Sequence, residues 1–137
     1  MVEFALLLPI FLVVIFIIVD FGVGISRWVI VTNSTREGAR LGAVGAATAD
    51  IANHVALTSS GLLDAADVDV YYLDENGGDP GDRGESVVVK SDYNYQMITP
   101  LSAFLSLTFN SINFHSCTDM RLELPVSGAA GGGTGCD

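Results

Sequence analysis

The densest chemistry in this 137-residue chain lies between Asp74 and Glu85. Asp74, Asn76, Asp79, Asp82 and Glu85 fall within the run DENGGDPGDRGE. Its glycines let the backbone curl so that carbonyls can join the side-chain oxygens, and calcium takes about six to eight such oxygens. Asp at the first place, Asn at the third and Glu at the twelfth partly follow the EF-hand order. However, Asp79 stands where that loop needs glycine, and no helical pattern flanks the run. An acidic, glycine-rich β-hairpin loop has the same composition with no metal, so both readings stay open.

Other candidate chemistry is sparse. Cys117 and Cys136 have neither CxxC spacing nor a histidine cluster, which argues against zinc. In a domain outside the cytoplasm the pair reads as one disulfide, worth roughly 3 kcal/mol by chain entropy. An intermolecular bridge or two free thiols are the alternatives. His54 and His115 stand apart from any nucleophile motif, and there is no phosphate-binding glycine loop. The chain is therefore expected not to be an enzyme and to require no cofactor beyond the calcium considered above.

Two further acids stand out because of their surroundings. Every residue from Phe4 to Val19 is apolar, Glu3 stands in front of that run, and Asp20 interrupts it before Phe21–Ile25 continue it. A secretory signal would need a basic leader before the run and a small-residue cleavage site after it. The segment is thus expected to stay in the mature protein as a membrane or filament helix. At 1.5 Å per residue, Phe4 to Ile25 spans about 33 Å, enough for a hydrocarbon core of roughly 30 Å. An acid inside such a span costs about 2.5–3.5 kcal/mol, so Asp20 implies headgroup contact or a partner.

Stepping outward from these residues, charge is divided unevenly. Residues 1–40 balance Glu3, Asp20 and Glu37 against Arg27, Arg36 and Arg40, so the whole net charge of −10 lies in residues 41–137. Nucleic acid and anionic lipid are poor partners for such a head. Leu41, Val44, Thr48, Ile51 and Val55 recur at helical spacing, which predicts that the helix continues to Thr58 and stops at Thr58-Ser59-Ser60-Gly61. Pro9 predicts a local kink, or an unpaired carbonyl one turn earlier.

Beyond Gly61 the period changes to two. Val68, Val70 and Tyr72 predict a first strand, and Val87, Val89, Tyr93 and Tyr95 a second. Thr99-Pro100 predicts the start of a short helix reaching Leu105. Ile112, Phe114, Met120, Leu122 and Leu124 share one face of a last strand; Asn113, His115, Cys117, Asp119, Arg121 and Glu123 share the other. This predicts a half-buried antiparallel sheet with one face on the long helix, an α+β fold. Cys117 then lies on the outer face, within reach of Cys136 if the glycine-rich tail folds back. The chain divides as 1–31 (transmembrane or filament-core helix), 32–60 (amphipathic continuation), 61–125 (β-rich head) and 126–137 (tail).

MVEFALLLPIFLVVIFIIVDFG, then NSTREGARLGAV, then a strand–ITPL–strand unit ending in MRLEL, together resemble the TadE-like pilins, type IV pilin relatives of tight-adherence (Tad) pilus systems. The resemblance is good over residues 2–58 and moderate over 86–124. It implies removal of a leader by a prepilin peptidase, assembly by an ATP-driven platform, and a homopolymeric filament at the cell surface acting in attachment. Before assembly the subunit would reside in the inner membrane. Glu3 matches the acid that aids assembly, although it is third here where such pilins usually have it fifth. A neighbouring subunit's α-amine would neutralise it and set the axial register. Asp20 matches another common acidic position, and an intersubunit contact with Arg27 is implied. A minor pseudopilin that primes or tips a filament is one rival reading. A membrane-tethered calcium or ligand sensor that never polymerises is another.

Overall fold

The computed structural model describes residues 2–75, 81–99, 111–126, 129 and 131–136. The chain is α+β: helix α1 (Val2–Ala43), helix α2 (Thr48–Thr58), a 3-10 turn (Ala65–Asp67), and strands β1 (Val68–Leu73), β2 (Ser86–Gln96) and β3 (Ser111–Arg121). The sheet is antiparallel, in the order β1-β2-β3. Two compact units form, one from Met1–Trp28 with Asn94–Phe114, the other from Val29–Tyr93 with His115–Asp137. The helix expected from Pro100 to Leu105 lies outside the described residues.

In the second unit the helix does not run on to Thr58 as its periodicity predicts. Gly45 adopts φ +88°, the Gly45 N–H donates to the Gly42 carbonyl (2.9 Å) and the Ala46 N–H to the Leu41 carbonyl (3.3 Å). This pair of bonds is a Schellman motif, which satisfies the last carbonyls and turns the chain out of the helix. After four connecting residues α2 doubles back: a Cβ on Gly38 would meet Val55, and one on Gly42 would meet Ile51. The stripe from Leu41 to Val55 is therefore split. Ile51 and Val55 are buried on α2, while Val44 is exposed at the break. The stop at Thr58 is where the sequence places it. Pro9 lies inside α1, whose helix is continuous across it.

The core of this unit packs Val31 and Ala39 of α1 and Ile51 and Val55 of α2 against Val68, Tyr72, Val87 and Val89. The register pairs Val68 with Ser91, Val70 with Val89 and Tyr72 with Val87, so alternation puts these residues on the helix side. Thr35, one helical turn from Val31, donates to the Val31 carbonyl (2.8 Å) and accepts from the Ser91 hydroxyl (3.0 Å). The buried Tyr72 hydroxyl donates to the Ala46 carbonyl (3.3 Å), and burial pushes its pKa up. On β3, Ser116 is buried and Ile112 exposed; the strand ends at Arg121, and beyond it Leu122 is buried and Leu124 exposed. The predicted apolar face of β3 is thus filled only in its middle and just past its end.

The outer face of the sheet is not simply solvated. Cys117 and Cys136 form a disulfide, bringing the tail across it. Thr134 accepts from the Tyr71 hydroxyl (2.5 Å) and from Lys90 (3.3 Å), while Gly131 bridges Tyr72 at the edge of β1. Gly133 lies flat on the Tyr71 ring, where any side chain would collide. Val88, the strand partner of Tyr71 on this face, is fully buried.

Candidate anchoring and assembly site

The first half of α1 is apolar all round and uncovered. Phe4 is 71 % exposed and Phe21 70 %, with Leu6, Leu7, Ile10, Phe11 and Ile18 similarly open. Such a surface suits lipid or other helices, and α1 is long and apolar enough to cross a membrane. Glu3 occupies the first turn, where the positive end of the helix dipole favours a carboxylate, and it is exposed.

Asp20 is the exception to this openness, at 7 % exposure between exposed Val19 and Phe21. Its Oδ1 accepts the N–H groups of Ile98 (3.1 Å) and Thr99 (3.2 Å), and its Oδ2 accepts the Thr99 hydroxyl. The Tyr95 hydroxyl donates to the Asp20 carbonyl (3.3 Å). The carboxylate thereby serves two backbone donors just past the end of β2. One turn on, Gly24 leaves room for the Tyr95 and Phe114 rings, whose centroids are 6.1 Å apart. Beside them opens a cleft of about 350 Å³ with almost wholly apolar walls, including Ile17, Phe21, Ile25 and Met97.

Within the chain, Asp20 takes these donors from Ile98 and Thr99. Thr99 directs both its N–H and its hydroxyl to Asp20; the helix that the sequence starts there lies outside the described residues. Only the isolation of one acid in an apolar run pointed to this clamp; nothing in local spacing linked residue 20 to residues 98 and 99.

The REGAR segment works differently. Arg36, Glu37 and Arg40 are exposed, as expected of a solvated face, while Gly38 and Ala39 are buried. A Cβ on Gly38 would stand 2.3 Å from Val55 Cγ2, and one on Gly42 2.8 Å from Val87 Cγ2. These glycines let α2 and β2 both press against α1.

In the acidic run, Asp74 and Asp82 are exposed. Glu85 is 1 % exposed, and its Oε2 accepts the Gly81 N–H (3.0 Å), closing the loop at a residue with φ +98°. Its carboxylate is turned inward to the backbone. Asn76 and Asp79 lie outside the described residues. Among the described residues no cluster of three or more His, Cys, Asp or Glu could hold a metal ion. His115 Nδ1 lies 2.5 Å from Asp92 Oδ1, an exposed cross-strand pair that the sequence reading did not single out.

The family model described as TadE-like protein matches residues 1–40. No curated protein and no solved structure matches the chain. The match runs from the acid-tipped apolar helix to the arginine that closes REGAR, and over that segment the chain is similar to TadE-like proteins.

Proposed function

We propose that this chain is a non-catalytic structural subunit of a Tad-type pilus, held in the inner membrane by α1 and then packed through α1 into a surface filament used in attachment. The observation that carries this reading is the bare first half of α1, tipped by Glu3, in a segment that is TadE-like. Its apolar side chains need lipid before assembly and neighbouring helices afterwards, so transfer exchanges one apolar environment for another without unfolding the rest. Glu3 would pair with the α-amine of the next subunit, after a prepilin peptidase exposes that amine. An ATP-driven platform would supply the work of extraction.

The test is Glu3→Ala beside Glu3→Gln, scored in membranes and in the sheared surface fraction. Both variants should accumulate in the membrane, and Glu3→Ala should lose surface filaments. Normal filaments from Glu3→Ala would refute the role given to this acid. Recovery of the parent protein in bulk marks a principal subunit, whereas a few copies per filament mark a priming or tip subunit.

A further inference from the structure

We propose that the end of β2 and the start of β3, presenting Met97, Ile98 and Ile112, form a membrane-surface contact that dips into the bilayer beside α1, with Asp20 as its internal tether. This rests on α1 crossing a bilayer and not on filament formation. All the residues concerned belong to the unit built from Met1–Trp28 and Asn94–Phe114.

Depth comes first. From Phe4 to Asp20 is about 24 Å of helix, so a hydrocarbon core of roughly 30 Å that begins at Phe4 ends beyond Asp20. Ile98 and Thr99 are hydrogen-bonded to Asp20 and so share its level. At that depth water is scarce, and a free backbone N–H or a lone carboxylate is costly. Here each meets the other's need: two backbone donors and one hydroxyl converge on the carboxylate.

Composition supplies an independent observation. Between Asp92 and Asp119 the chain has no Asp, Glu, Lys or Arg, although the rest of residues 41–137 carries the whole net charge of −10. Among the described residues of that stretch the large apolar side chains Ile98 (64 % exposed) and Ile112 (43 %) stand open beside uncharged Gln96, Ser111 and the Asn94–Asn113 pair. Met97 and Ile112 line the apolar cleft together with Phe21, Ile25 and Trp28 of α1, which are themselves open. An uncharged surface with open isoleucines beside polar amides fits the boundary between acyl chains and headgroups, with no need for anionic lipid.

The full chain carrying Trp28→Phe is reconstituted in phosphatidylcholine vesicles with brominated acyl chains, with single probes Ile98→Trp, Phe11→Trp or Leu57→Trp. Phe11→Trp reports on the anchor and Leu57→Trp, on α2, is the aqueous reference. Ile98→Trp should be quenched at least about twofold more than Leu57→Trp, most strongly by bromines near the headgroups. Adding Asp20→Leu should reduce that quenching, while Asp20→Asn, whose amide oxygen still accepts from both N–H groups, should retain it. If Ile98→Trp behaves like Leu57→Trp while Phe11→Trp is quenched, the anchor stands and the dip is overturned. If Phe11→Trp is not quenched, the anchor and the dip fall together. If Ile98→Trp is shielded only at high protein-to-lipid ratio, the surface is covered by a second copy and the proposal is wrong.

Discussion

From Phe4 to Ile25, α1 carries large apolar side chains in the open; from Val31 to Gly42 its inward face carries small ones, buried. Among the described residues the first stretch is fixed only around Asp20 and Gly24, so elsewhere its requirement is chemical: any apolar surroundings will do. The second has partners fixed atom by atom, so its requirement is steric. One continuous helix therefore obeys two sets of rules, and substitutions should reveal where one gives way to the other.

A charge separates them most sharply. Phe11→Arg should cost about 3 kcal/mol of membrane insertion, read as loss from the carbonate-resistant membrane fraction. Glu37→Arg, on the exposed side of the second stretch, should move stability by no more than about 0.5 kcal/mol. Bulk works in the opposite direction. Gly38→Val should destabilise by about 1–3 kcal/mol in denaturant melts, because a Cβ there already collides with Val55. Gly22→Val, with nothing within 4 Å, should leave the head's melting unchanged. If Gly22→Val proved as costly as Gly38→Val, the contrast between the two stretches would be lost.

Removing the inward Glu85 by Glu85→Ala should cost about 1–3 kcal/mol, since the buried Gly81 N–H loses its acceptor. The smallest effect concerns Tyr72. An unfolded tyrosine ionises near pH 10, about its reference value, and the buried one ionises higher. The unfolded state therefore releases its proton first, and stability should fall as pH rises from about 10 toward the folded pKa. Tyr72→Phe should flatten that decline in alkaline melts.

The α+β fold, the three strands and the disulfide were legible because each rests on a local signal: an unbroken apolar run, alternation, or a lone pair of cysteines. The break at Gly45 was misread because Leu41, Val44, Thr48, Ile51 and Val55 keep helical spacing across it. Spacing does not register that one glycine has switched to positive φ. That Gly45 stands after the last buried turn was the available signal. The Asp20 clamp escaped for another reason: its donors are mostly backbone groups nearly eighty residues away, and backbone donors leave no mark on residue identity. In the acidic run the letters could not tell an inward carboxylate from a solvated one, so Glu85 looked like its neighbours.

The two glycines at the α1 face also have an evolutionary consequence. Gly38 meets Val55 and Val89, and Gly42 meets Ile51 and Val87. Each set shares one fixed allotment of space among three elements, so no member can drift in size alone. Enlargement on α1 is tolerable only with shrinkage on α2 or β2, and Gly38→Ala combined with Val55→Ala should recover stability that Gly38→Ala alone loses. In homologous chains these positions are expected to change together, as compensating triplets rather than as independent sites.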